Sequence, residues 1–212
     1  MSMDIGKAFK QFCDDLQNRS GIMTEDNIRY YWFATMLRQD KDLNHYTLEE
    51  PYQTLSGKEM DLHYQDNNDE LYFEIKFHRN NGQSDYHHTF AAGEIFDDLQ
   101  RLKSIKISRP QSHCYFLYVT DDIMHNYFTN NQKNTNVTYR NNLKCFYDVA
   151  KNSNINLKFD PNDTPKTFME RALKSLSRNT VQPLPPLYLS NITMCFTEDI
   201  ISKNCHVRLY EI

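Results

Sequence analysis

Asp61, Glu74 and Lys76 are the residues whose types and spacing best suit chemistry. Two carboxylates within reach of each other make a hard-oxygen site of the kind that holds Mg²⁺ or Mn²⁺. Such a cation lowers the pKa of a bound water and neutralises charge building on a phosphoryl oxygen. A lysine set between carboxylates stays cationic unless it is desolvated, and it can orient the water or stabilise the transition state. The chemistry this predicts is hydrolysis of a phosphodiester.

The element that must position these side chains is Lys58 to Phe77, whose alternation predicts a β-hairpin. Met60, Leu62 and Tyr64 fall on one side of the first run, and Glu59, Asp61 and His63 on the other. In the second run Leu71, Phe73, Ile75 and Phe77 share a side, with Glu74 and Lys76 opposite. The polar stretch Gln65 to Asp69 is the expected turn. Upstream, Thr24 reads as the N-cap of a helix with Glu25 and Asp26 in its first turn, where the helix dipole favours acids. At 100° per residue Glu25 projects near Ile28 and Trp32, inside the apolar sector, and Asp26 points away. An inward carboxylate needs a partner or a metal. On these residues alone a surface salt bridge worth about 0–1 kcal/mol remains the alternative.

Asp61, then twelve residues, then Glu74-Ile75-Lys76 resembles the PD-(D/E)XK motif of restriction endonucleases, resolvases and repair nucleases. Met60 stands where the family name has proline, a position that varies in that family. The string from Thr24 to Tyr30 is similar to the acid-bearing helix of such nucleases. The resemblance implies an α/β fold: a restriction-endonuclease-like core with a mixed central β-sheet flanked by α-helices. It implies a Mg²⁺-dependent DNA endonuclease, with Mn²⁺ as substitute, a type II restriction-type enzyme being one option beside a repair enzyme or a resolvase. Asp61 and Glu74 would bind the metal together with the backbone carbonyl of Ile75. Lys76 would position the attacking water, and Glu25 would support the metal or its water shell. Cleavage would leave a 5′-phosphate, and double-strand cutting would call for a homodimer.

The 212 residues, 39% of them hydrophobic, are enough for one sizeable core. Residues 1–128 are expected to hold the N-terminal helices and the catalytic core, and 129–212 a C-terminal extension packed on the same domain. Only 5 glycines and no GxGxxG or GKT/GKS string argue against a glycine-built nucleotide loop. Five cysteines without a CxxC pair fit reduced thiols rather than a zinc site. With no signal-like or membrane-spanning run the expectation is a cytoplasmic protein. A formal charge of −4 does not mark a nucleic-acid binder, although metal-site acids count against that total.

Along the chain, residues 4–17 read as a packing helix and 40–57 as irregular. Arg79 follows the hairpin as a candidate phosphate contact. A helix is expected over Thr89–Lys103, with Glu94, Asp97 and Arg101 on its outer face. The apolar run Cys114–Val119 predicts a central strand, followed by a helix from Ile123. Residues 126–142, rich in Asn, Thr and Gln, read as a loop or lid. Arg171, Lys174 and Arg178 are expected on one face of a helix opened by Thr164-Pro165, as candidate backbone-phosphate contacts. Two apolar strands close the chain, Leu187–Phe196 and His206–Ile212. The rival function is a non-catalytic nucleic-acid- or protein-binding module of the same fold, and RNA stays open as a substrate.

Overall fold

The computed structural model describes residues 2–20, 23–52, 55, 57–79, 85–130, 135–175 and 184–212. Two amphipathic helices come first. In α1 (Ile5–Asn18) Asp4 caps the first turn by accepting the Lys7 N–H at 2.9 Å, and Phe9, Phe12 and Leu16 face inward. In α2 (Glu25–Leu37) Thr24 accepts the Asn27 N–H at 3.2 Å, and Ile28, Trp32 and Met36 are buried. The N-cap agrees with the sequence reading; Glu25 is partly buried and Asp26 is exposed.

Strands β1 (Tyr46–Pro51), β2 (Glu59–Gln65) and β3 (Glu70–His78) form an antiparallel meander. The expected hairpin is β2–β3, with Asp66 Oδ1 taking the N–H groups of Asn68 and Asp69 at 2.7 Å in its turn. The irregular segment expected over 40–57 is corrected in part, because β1 forms one edge of the sheet. The 24-residue helix α3 (Asp85–Ser108) then crosses over to β4 (His113–Asp121), which lies parallel to β3. A helical crossover is how parallel neighbours are joined.

The chain continues through α4 (Asp122–Asn130), α5 (Val137–Tyr147), β5 (Asn154–Phe159) and α6 (Lys166–Ala172). It ends with β6 (Leu187–Ile200), the 3₁₀ turn Ile201–Lys203 and β7 (Cys205–Glu211). The fold is α/β: one open, mixed seven-stranded sheet in the order β1-β2-β3-β4-β7-β6-β5, flanked by six helices among the described residues. Residues 129–212 thus supply three strands of the same sheet, with β7 directly against β4. No helix among the described residues is long and apolar enough to cross a membrane.

The sheet is covered on both faces, as the apolar run in β4 requires. Phe73, Ile75, Leu117, Val119 and Leu209 pack on Trp32, Phe12 and their neighbours in α1 and α2. Phe116, Tyr118 and Tyr210 pack beneath α3 to α6 with Phe96, Leu99, Phe146 and Phe168. The expected lid is a correction: 126–130 and 137–142 belong to α4 and α5, while 131–134, with Lys133, lie outside the described residues. Asn136 caps α5 by accepting the Tyr139 N–H at 2.8 Å, and Tyr139, Leu143, Phe146 and Tyr147 carry it into the core.

Candidate active site

Asp61 sits where the meander loosens. The β2–β3 ladder reaches Leu62↔Phe73, and beyond it Asp61 Oδ2 accepts the Ile75 N–H at 2.6 Å. Across β2, Glu49 is turned to φ 54 between the pairs Leu48↔Leu62 and Glu50↔Met60. The interruption adds no residue to either strand and leaves Asp61 without a ladder partner on β1. It also corrects the expected strand faces: Met60 leaves Leu62 and Tyr64 and joins Tyr52 and Tyr72 beneath α3.

Glu74 is 2% exposed and held on both oxygens. Tyr52 Oη donates to Oε1 at 2.5 Å, and Arg101 Nη2 donates to Oε2 at 3.0 Å. The same guanidinium nitrogen reaches Asp98 Oδ1 at 2.5 Å. Arg29, one turn after Glu25, joins Glu25 Oε1 at 3.0 Å to Asp61 Oδ1 at 2.9 Å through one Nη2. Lys76 Nζ lies 3.4 Å from Glu25 Oε2, which also accepts the Phe77 N–H at 3.5 Å.

These side chains open into one cleft of about 210 Å³ between α2, β2, β3 and α3. Glu25, Asp61, Glu74, Ile75 and Lys76, all singled out in the sequence, line it together. Arg171 lines it as well, ion-paired to Glu94 and stacked 4.4 Å from the centroid of Phe90. The expected basic helical face is corrected, because α6 ends at Ala172. Lys174 is exposed beyond that end, and Arg178 lies outside the described residues. Arg79 is exposed past β3 and lines a neighbouring pocket instead.

The sequence reading missed Arg29, Tyr52, Asp98 and Arg101, and it placed Glu94, Asp97 and Arg101 on the outer face of α3. Asp97, Asp98 and Arg101 are buried, and α3 is enclosed between the sheet and α6. Gly93 permits that approach: a Cβ there would lie 2.7 Å from Arg171 Cβ and 2.8 Å from the Phe168 carbonyl. The segment after α6 docks on Asp97, whose oxygens accept Ser175 N–H at 2.7 Å and Oγ–H at 2.6 Å. The available signal was the spacing i, i+4, i+7 of Glu94, Asp98 and Arg101, which puts three charges on one stripe of the helix.

Burial sets the electrostatics. It pushes the Asp61 carboxyl above its usual range, with Arg29 pulling the other way. Glu74 is pushed well up by burial against the pull of Arg101, and Asp98 up to about 6 for the same reasons. Burial also works against the ammonium of Lys76, but Asp98, Glu25 and Glu94 together hold its pKa above the ordinary value. Lys76 is therefore a fixed cation and not a proton acceptor at neutral pH.

Among the described residues no three His, Cys, Asp or Glu side chains converge as a ready metal-binding group. The donors nonetheless suit a hard divalent cation in kind and capacity. A carboxylate has about four acceptor positions, and Asp61 and Glu74 each use two on the contacts above. Glu59, Glu94 and Asp97 complete a set of seven carboxylates in the wall, against the five cations Arg29, Lys58, Lys76, Arg101 and Arg171. Comparison with protein-family models, with curated proteins and with solved structures finds no match to this chain.

Proposed function

We propose that the protein is a Mg²⁺- or Mn²⁺-dependent DNA endonuclease with a restriction-endonuclease-like core. The observation that carries this reading is the meeting of Glu25, Asp61, Glu74 and Lys76, from one helix and two strands, in one acid-rich cleft. The order of helix, hairpin, helix and central strand supports it, as does the mixed sheet.

Asp61 and Glu74, with the Ile75 carbonyl, would hold the metal. When bound, the cation supplies Lewis-acid stabilisation of the phosphoryl oxygens and a water of lowered pKa. Lys76, kept protonated by its acidic neighbours, orients the nucleophilic water by donating a hydrogen bond and offsets negative charge on the phosphoryl oxygens. Glu25 steers the Lys76 ammonium from 3.4 Å and couples it through Arg29 to Asp61. The product carries a 5′-phosphate, and restriction-type double-strand cutting would use two copies of the chain.

The test is plasmid nicking and linearisation in Mg²⁺ and Mn²⁺, wild type beside Lys76→Ala and Asp61→Asn. Defined bands lost in both variants support restriction-type cleavage, and smearing lost in both keeps a nuclease without that specificity. The second reading, a non-catalytic nucleic-acid- or protein-binding module, draws on Arg29 and Arg101 occupying the acids. It becomes the better account if no metal-dependent cleavage occurs on duplex, branched or single-stranded DNA or on RNA.

A further inference from the structure

We infer that the pocket on the opposite side of the β3 terminus is a phosphate-binding subsite for the nucleic-acid strand that crosses the cleft. This pocket measures about 370 Å³. That is within the roughly 300–1,000 Å³ of sites for small ligands. Three cations from separate parts of the chain line it: Arg19 after α1, Arg79 after β3 and Lys203 in the 3₁₀ turn before β7. Among the described residues lining it the one carboxylate is Asp121. Its Oδ1 already accepts the N–H groups of Ile123 at 3.1 Å and Met124 at 3.0 Å. The pocket is therefore net positive in a chain of net charge −4.

Two of the three cations are anchored. Arg19 Nη2 donates to Asn27 Oδ1 at 2.8 Å, and its guanidinium lies 5.1 Å from the centroid of Tyr31. Lys203 Nζ donates to the Arg19 carbonyl at 2.7 Å, which binds the turn before β7 to the end of α1. Leu16, Met23 and Phe77 give the pocket an apolar floor suited to the sugar that joins two phosphates.

Its position relative to the cleft follows from strand alternation. Lys76 faces the cleft and the next residue, Phe77, faces this pocket. Glu25 Oε2 touches both, pairing with Lys76 Nζ and accepting the Phe77 N–H. A phosphodiester backbone passing over the end of β3 meets Lys76 on one side and Arg19, Arg79 and Lys203 on the other. Such contacts fix register and orientation without reading base sequence. The choice of ligand rests on the nuclease reading above.

The test measures binding without cleavage. Fluorescence anisotropy of labelled duplex and single-stranded oligonucleotides in EDTA compares wild type with Arg79→Ala, Lys203→Ala and the double variant. Arg79 and Lys203 are exposed, so melting temperatures should fall by no more than the loss of the single Lys203–Arg19 hydrogen bond, and binding is compared well below them. The double variant should bind about tenfold or more weakly near 0.1 M salt, with the slope of log affinity against log salt flattened by about one per lost contact. Unchanged affinity and slope in the double variant overturn the subsite, as does wild type that binds neither DNA nor RNA. Loss of binding in the variants of a protein that never cleaves keeps the subsite and removes the nuclease reading. Intact cleavage with unchanged binding removes the subsite alone.

Discussion

Arg101 donates to Glu74 at 3.0 Å where both side chains are almost wholly out of water, Arg101 8% exposed and Glu74 2%. Removing one partner of such a pair leaves the other charge uncompensated. Arg101→Ala should therefore destabilise the metal-free protein by about 3–5 kcal/mol at neutral pH, measured by urea denaturation. Arg101→Met combined with Glu74→Gln and Asp98→Asn, which removes both carboxylates that Arg101 pairs with, should recover most of that loss. A cost for Arg101→Ala no greater than that of an exposed arginine would show that the pair does not bind the sheet to α3.

Asp98 makes stability depend on pH in an unusual direction. Burial holds its carboxyl at about 6, above its ordinary 3.8. The folded state then binds this proton more tightly than the unfolded state. The contribution is fully present below the unfolded pKa and is lost as pH rises through 6. Asp61 and Glu74, also raised, act in the same sense, against the opposite contribution of His78 and His125, whose pKa burial lowers. Glu94 is held down at about 2, so its opposite contribution is already complete above pH 5. The metal-free protein should melt at a higher temperature at pH 5 than at pH 7.5, and Asp98→Asn should flatten that profile. A wild-type melting temperature that climbs steadily from pH 5 to pH 7.5 would contradict this.

Mg²⁺ should relieve the same burial. A ligand at a hundred times its Kd stabilises by about 2.7 kcal/mol, enough for a clear thermal shift. Asp61→Asn should abolish that shift. Arg29→Ala removes a cation that competes for Asp61 and should tighten the apparent Kd for Mg²⁺, read by calorimetry. A shift that survives Asp61→Asn would place the ion elsewhere.

Lys76→Ala should lower single-turnover cleavage by about 10²–10³-fold, measured well below its own melting temperature because the lost ammonium leaves Glu25 and Asp98 less compensated. Lys76→Arg should recover only part of the rate, because a planar guanidinium does not present its donors where the ammonium does. Glu25→Gln, acting through Lys76 and Arg29, should cost less than Lys76→Ala. Equal activity of wild type and Lys76→Ala would remove the lysine from the mechanism.

The α3–α6 contact has its own test at Gly93. A methyl group there meets backbone at 2.8 Å, so Gly93→Ala should destabilise by overpacking, by about 1–3 kcal/mol. The shift of α6 would carry Arg171 away from Glu94 and slow cleavage further than the stability loss explains. A urea midpoint equal to that of wild type would mean that the two helices separate freely.

What was legible in the sequence was local. Strand alternation in residues 59–77 and the Thr24 cap each depend on near neighbours, and they were enough to put Asp61, Glu74, Lys76 and Glu25 on the right elements. What was hidden depends on how elements meet. Arg101 and Asp97 looked like the wet side of an amphipathic helix, because nothing local announces that α6 covers that side. Met60 followed the strand period on paper, while the turned Glu49 and the Asp61 side chain end the regular pairing beside it. The Asn-rich stretch before Asn142 concealed a helix whose Tyr139, Leu143, Phe146 and Tyr147 repeat at i, i+4, i+7 and i+8.

The placement of β7 between β4 and β6 has a consequence for biosynthesis. When β1 to β4 have left the ribosome, the inner edge of β4 still shows a full row of unpaired amides and carbonyls. Its natural cover, Cys205–Glu211, is translated only after α4, α5, β5, α6 and β6. Until then the half-sheet that bears Asp61, Glu74 and Lys76 carries an adhesive border, the kind of edge that recruits foreign strands. Its nascent chain should therefore depend on chaperones that shield β4, and the cleft should reach its final shape only after translation has passed Glu211.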